Sequence, residues 1–400
     1  MLYIFQKEIK MEVEVKEYSD RTLELFKYGD IMYDNLVLLA PSSDLTSGKL
    51  DVDAILEYID KGKNVFVAVD ETISPALREV GAECGVVFEE SPRKVVDHFK
   101  ALSESNDDTL FQTSPASLLQ LSSIFSQDTL HSGKLLYEGI AHRTDSISPP
   151  KLNLPLLTGS YTSYAPSKDS FFASGKDAVL VSALQARNNA RVVFCGSLKM
   201  LSDSFFSRTD DEGNKFANQK FVQDLLLWNF QQKSVLRISN LNHHTVGESS
   251  PPQTYVIREN IVCRLLPPFF FGNIFSRFIK TYTVTIEEFK DGKWQPYQAE
   301  DVQLEWQMLD PYLRLTLQHN NNGVFSRTFQ LPDVYGVFTF RLDYERKGYT
   351  FIHQRDIIPV RPLRHNEYER FIISAYPYYA GAFSMLGSVV LFSLIFLFSK

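Results

Sequence analysis

Five places in the 400-residue chain carry side chains suited to chemistry. Cys195 follows an apolar run in Val193-Phe194-Cys195-Gly196-Ser197. A thiol at a strand-to-helix turn is where an amidotransferase-like hydrolase holds its nucleophile. The small flanking residues of a Gly-x-Cys-x-Gly elbow are missing, and no His-x-Glu pair follows at a sensible position, so Cys195 reads as a buried strand residue. Cys84, in Glu83-Cys84-Gly85 after a helix stop, reads the same way. Asp51-Val52-Asp53 matches the Asp-x-Asp pattern that holds a metal–nucleotide-sugar in many glycosyltransferases. These aspartates also open an amphipathic helix, where carboxylates suit the free amides and the dipole. Helix capping is the better account. His243 and His244 are adjacent, so on an extended chain they point to opposite faces and cannot share a metal. The stretch Leu157 to Tyr164, LTGSYTSY, is rich in hydroxyls and suits a sugar, but hydroxyls that satisfy a loop's own backbone explain it better. With no phosphate loop, paired catalytic carboxylates or zinc spacing in the sequence, no catalytic, cofactor-binding or metal site is expected.

The elements that would carry these residues fall into two styles. Residues 34–70 predict a βαβ unit: the run DNLVLLAP, a helix with Val52, Ile55, Leu56 and Ile59 on one face, a stop at Gly62, and the strand NVFVAVD. ALREVGAECGVVF repeats helix, glycine stop and strand. DAVLVSALQ and NNARVVFCGS are further apolar strands, and FANQKFVQDLLLWNFQ is an amphipathic helix. Strands alternating with helices predict an α/β domain over residues 1–232 with a parallel, amidotransferase- or flavodoxin-like sheet. After Pro251-Pro252 the pattern changes. TYTVTIEEF, DVQLEWQML, YLRLTLQH, VFSRTFQL, GVFTFRLDY and YTFIHQRDI alternate between polar and apolar, separated by turns, and predict an antiparallel β-sandwich over 233–362. The segment 262–280, VCRLLPPFFFGNIFSRFIK, is apolar and basic without alternation and interrupts this pattern.

A juxtamembrane segment, 363–378, leads to a different kind of run. Residues 379–398 contain no charge, in a chain whose mean hydropathy is -0.16. About 20 apolar residues suffice to cross a bilayer, so a transmembrane helix is expected. Tyr376, Tyr378 and Tyr379 stand at its entrance, where amphipathic rings favour the headgroup layer. Gly381, Ser384 and Gly387 offer small side chains for close helix contact with a partner. Arg361, Arg364 and Arg370 precede the run and only Lys400 follows it. A net charge of -7 without a basic cluster argues against nucleic acid, and three cysteines make no disulfide framework.

Several strings have no mechanistic explanation. They are Leu184-Gln185-Ala186-Arg187-Asn188-Asn189-Ala190-Arg191-Val192, Ser202-Asp203-Ser204-Phe205-Phe206, His243-His244-Thr245-Val246-Gly247-Glu248, Leu331-Pro332-Asp333-Val334-Tyr335-Gly336-Val337-Phe338 and Tyr368-Glu369-Arg370-Phe371. In this order they resemble the 48 kDa subunit family of oligosaccharyltransferase, from about Leu25 to the end of the apolar run. The resemblance implies a non-catalytic accessory subunit of the complex that moves a preassembled glycan from dolichyl diphosphate onto Asn in Asn-x-Ser/Thr. It implies a single-pass type I protein of the endoplasmic reticulum membrane with its body in the lumen. It implies three partners: a multi-spanning catalytic subunit, ribophorins and the defender-against-cell-death subunit. It further implies an amidotransferase-like first domain without catalytic residues.

The chain departs from that pattern twice. A signal peptide and a first strand are expected before Glu12, so a truncated start is inferred. Excising 262–280 would join Ile261 to Thr281 in one continuous strand and create the sequon Asn260-Ile261-Thr281, as a retained in-frame intron would explain. Two other readings compete: a tail-anchored interaction protein facing the cytosol, and a free-standing α/β hydrolase or glycosyltransferase using Cys195 or Asp51 and Asp53.

Overall fold

The computed structural model describes residues 11–17, 20, 23–42, 50–102, 107–132, 134–144, 152–167, 171–209, 213–245, 251–257, 279–290, 292–367 and 373–399. Most of the atypical segment 262–280 and the string at 368–371 lie outside them. The chain divides into two compact units. The first holds residues 1–237 together with 287–297 and 344–352, and the second holds 238–286, 298–343 and 353–400.

The first unit is built on a seven-stranded sheet. Its strands are β1 (Asn35–Leu38), β2 (Asn64–Ala68), β3 (Val86–Phe88), β4 (His142–Thr144), β5 (Asn153–Thr158), β6 (Val179–Gln185) and β7 (Arg191–Cys195). They run in the order β1-β2-β7-β6-β4-β3, with β5 also paired to β6. β2 and β7 are buried along their whole length. Alternate side chains therefore feed two cores. Phe66, Val193 and Cys195 join Phe221, Leu225 and Trp228 of helix α3 (Asn218–Asn229). Val65, Val67, Val192 and Phe194 join Ile55 and Ile59 of α1 (Val52–Asp60) and Leu77 and Val80 of α2 (Pro75–Glu83).

The sheet is mixed, which corrects the expectation of a parallel one. Only β1–β2 and β2–β7 are parallel. β6 and β7 are joined by residues 186–190 alone, and a parallel partner needs a crossover of a dozen residues or more. They form an antiparallel hairpin, with Val181 opposite Cys195 and Gln185 opposite Arg191. β3 and β4 are antiparallel as well.

The β-rich C-terminal region makes two five-stranded sheets. One contains β8 (Val235–Thr245), β10 (Ile279–Lys290), β11 (Lys293–Pro296), β14 (Gln318–His319) and β15 (Val324–Gln330). The other orders β9 (Tyr255–Val256), β17 (Ile352–Arg361), β16 (Gly336–Tyr344), β12 (Gln303–Gln307) and β13 (Pro311–Thr316). Rings join them in the second unit: Tyr282 lies 5.0 Å and Phe329 6.1 Å from Phe340, between ring centroids, and Trp306 lies 6.4 Å from Phe329. β9 runs parallel to β17, an exception to the expected antiparallel pattern. The last element is helix α4 (Tyr376–Phe398).

Candidate functional site

Most of the residues with apparent chemistry are held by the fold, while Asp51 and Asp53 are exposed and line a surface pocket beside Glu24 and Glu57. Cys195 is buried at the end of β7, its thiol facing the Ser197 carbonyl at 3.3 Å. Burial pushes the thiol up to about 12, so it stays protonated at neutral pH and lacks the thiolate of a nucleophile. The turn after it is closed. Gly196 O accepts from Ile140 N at 2.8 Å, and a Cβ on Gly196 would lie 2.2 Å from Ile140 O. Ser197 Oγ donates to Glu138 O and accepts from Met200 N, so even this hydroxyl holds a turn. Cys84 is also buried and pushed up to about 12 by burial.

Asp51 caps α1, accepting from Ala54 N at 2.8 Å, and Asp53 sits in the first turn, as the capping account expects. Tyr161 of the 157–164 stretch is exposed, while its serine and threonine hydroxyls bond within the fold. Ser160 and Thr162 bond the fully buried carboxylate of Asp97, and Ser163 Oγ donates to Ser160 O at 2.9 Å. His243 bonds Tyr255 OH at 3.1 Å and packs on Phe340, and burial lowers its pKa. Among the described residues no three His, Cys, Asp or Glu side chains converge as metal ligands.

The unexplained string at 184–192 has a structural use inside the first unit. Its side chains clasp the returning segment 344–352. Gly348 N donates to Gln185 Oε1 at 2.9 Å, and Gln185 Nε2 donates to Tyr349 O. Asn189 makes a reciprocal pair with Phe351, donating to its carbonyl at 3.2 Å and accepting from its amide at 2.6 Å. Asn189 holds φ +69°, a left-handed conformation that asparagine tolerates better than most side chains. Asn188 Nδ2 donates to the carbonyls of Ile59 and Asp60 at the end of α1.

Arg191 is fully buried. It donates to the carbonyls of Trp228, Lys233 and Ser234 at 2.5, 3.0 and 2.9 Å and lies 4.7 Å from the Trp228 ring centroid. Burial lowers its pKa to about 9, which still leaves it a cation at neutral pH. Trp228 completes the clasp, its indole N–H donating to Gly348 O at 2.7 Å. Sequence reasoning left these polar residues without a role because their partners are distant backbone groups, about 40 residues away for Arg191 and more than a hundred for Gln185, Asn188, Asn189 and Trp228.

Helix α4 is the opposite. Its 23 residues, at about 1.5 Å each, exceed the roughly 30 Å of a hydrocarbon core. None of its side chains is buried. Tyr376 and Tyr378 are exposed at its start, and Tyr379 is half-buried. A Cβ added to Gly381 or Gly387 would meet nothing within 4 Å. At about 100° per residue, Ala380, Gly381, Ser384, Gly387 and Ser388 fall within an arc of about 120°. Ser384, Ser388 and Ser393 donate back to the carbonyls of Gly381, Met385 and Val389 at 2.9, 2.7 and 2.8 Å. Each serine hydroxyl on the helix is thus satisfied without water, as an apolar solvent demands.

Two matches bring the family into view. Residues 6–232 match the family described as OST48, N-terminal domain, and residues 279–400 match the OST48 middle domain. The chain belongs to the OST48 family. Among its relatives is the dolichyl-diphosphooligosaccharide–protein glycosyltransferase 48 kDa subunit of Danio rerio, 39% identical over 399 residues, which span 96% of this chain and 85% of that protein. The subunits of the same name from Caenorhabditis elegans and Drosophila melanogaster are 38% and 37% identical. Those alignments span 98% and 96% of this chain and 86% and 84% of the two relatives. The OST48 N-terminal match contains both Cys195 with its closed turn and the Arg191 clasp.

Proposed function

We propose that the chain is a non-catalytic accessory subunit of the oligosaccharyltransferase complex, supporting transfer of a preassembled glycan from dolichyl diphosphate to Asn of Asn-x-Ser/Thr. The observation that carries this reading is the family match along both halves of the chain, to relatives named as a subunit of that transferase. The burial of Cys195 and the capping role of Asp51 support the non-catalytic part. In this reading residues 1–232 and 233–362 are the domains of a lumenal body, and α4 is a type I anchor in the endoplasmic reticulum membrane. Tyr376, Tyr378 and Tyr379 lie at the headgroups. The small-residue arc of Gly381, Ser384 and Gly387 meets a helix of a neighbouring subunit. The multi-spanning catalytic subunit, ribophorins and the defender-against-cell-death subunit are the expected neighbours.

Depleting the chain from cells tests the role. An Asn-x-Ser/Thr reporter is expected to lose glycans and to regain them when the chain is restored, while the purified chain alone transfers none. Transfer by the isolated chain would overturn the accessory reading. Protease added to sealed microsomes tests the orientation, since a lumenal body is cleaved only after detergent is added.

A further inference from the structure

One surface of the second unit remains without an occupant. On the outward face of the sheet β9-β17-β16-β12-β13, side chains sort by position along the strands. Glu305 lies opposite Arg341, Arg314 bonds Glu305 at 2.6 Å, and His353 Nδ1 is 3.1 Å from Asp343 Oδ1. That part of the face is a ladder of alternating charge. The other end is apolar. Gln307 lies opposite Thr339, and Leu309 follows in the turn 308–310 that joins β12 to β13. Gly336 lies so close to Met308 that an added Cβ would be 2.6 Å from its sulfur. β17 neighbours β16, with His353 beside Asp343, so Ile357 and Pro359 lie further along β17 toward this same end. Leu309, Tyr335, Val337 and Ile357 are 86%, 66%, 58% and 70% exposed. Single exposed apolar side chains are ordinary, but a contiguous group marks an interaction surface.

The chain path says what covers it. β17 ends at Arg361, at the apolar end of the sheet, and the chain leaves from there toward α4. The Arg361 guanidinium grips Glu367 at 2.7 and 2.9 Å, and Arg364 N donates to the same carboxylate at 2.9 Å. Residues 361–367 thus close back on the strand end. Only residues 368–375 separate this turn from Tyr376, and eight residues reach at most about 30 Å. The strand end is tethered that close to the start of the apolar helix. Aliphatic side chains rimmed by a tyrosine, with charge beginning at Arg355 on β17 and at Arg341 on β16, match the gradient of a membrane interface.

We propose that Leu309, Tyr335, Val337 and Ile357 rest in the headgroup layer of the membrane that α4 crosses. The second unit is then held by two attachments, a span and a surface contact. This assignment rests on the spanning reading of α4.

The test reconstitutes the full chain in phosphatidylcholine vesicles with and without brominated acyl chains. Tyr335→Trp and Ile357→Trp report on the patch, and Arg355→Trp, on the charged part of the same face, is the control. Bromine is expected to quench the added emission at both patch positions about twofold or more beyond the control, as rings in the interface would be. Equal quenching at all three positions in a chain that resists carbonate extraction overturns the surface contact and leaves the span intact. Release of the chain by carbonate overturns the span and the contact together. Patch reporters that stay unquenched in vesicles but become buried in the purified native complex would assign the surface to a protein partner instead, and the lipid contact would fall.

Discussion

The clasp around Arg191 and the helix Tyr376–Phe398 are opposites in composition and in use. The clasp gathers amides, a guanidinium and an indole, the groups from which sites are usually made. Each is spent on a backbone partner inside the first unit. The helix has no charged residue, and its side chains lie open. The difference teaches that polar richness marks the interior joint here, and plain open apolar surface is where the proposed partner contact falls.

Breaking the clasp should have the largest effect. Arg191→Met removes three hydrogen bonds made by the fully buried guanidinium, leaving the carbonyls of Trp228 and Ser234 only the amides of Gln231 and Thr350, and is expected to cost about 3–5 kcal/mol in urea unfolding followed by tryptophan emission. A cost under about 1 kcal/mol would show that the joint is not what holds the first unit together. Asn189→Ala loses both bonds to Phe351 and places an alanine at φ +69°, for an expected cost of about 2–3 kcal/mol. Asn189→Gly should recover part of this, because glycine relieves the backbone strain without restoring the bonds.

The pH response sharpens the contrast. His142 is fully buried, with Nε2 on Ser182 Oγ at 2.7 Å and Nδ1 unpartnered, and burial pushes its pKa down to about 3. The folded state therefore binds fewer protons than the unfolded chain between about pH 3 and 6.5. Stability is full above the unfolded value near 6.5 and falls as pH drops toward 3. About 2 kcal/mol should be lost between pH 7 and 5 from this group, and His142→Gln should flatten that slope in melts across the range. Helix α4 has no group that titrates there, so resistance of the chain to carbonate extraction should not change with the pH of the preceding incubation. The smallest effect on folding belongs to the helix. Gly381→Leu with Gly387→Leu should change unfolding of the body by less than about 0.5 kcal/mol, since among the described residues a Cβ added at either glycine meets nothing within 4 Å.

How much of this could be read beforehand follows from the range of each interaction. The stripe Ile55 and Ile59, the cap at Asp51 and the apolar helix are local patterns, and the sequence displays them. Tyr58, buried beside Ile59, is absent from the simple stripe because its hydroxyl needed a partner, the Tyr33 carbonyl at 2.9 Å. The sheet's mixed direction hinged on the short connection 186–190, visible in the sequence but outweighed by the alternation of strands and helices. The clasp was not legible, because Gln185 and Asn189 meet residues 348–351 only through the fold. The outward apolar end of β16 and β17 was hidden too, since it needs the register of three strands.

The most direct measurement is co-purification of the tagged full chain from membranes in mild detergent, compared with the Gly381→Leu/Gly387→Leu variant. The account predicts that the parent chain brings down the multi-spanning catalytic subunit in equal amount and that the variant, equally folded, loses most of it. A parent chain that purifies alone, or a variant that keeps its partners undiminished, would contradict the claim that this open helix is where the subunit joins its complex.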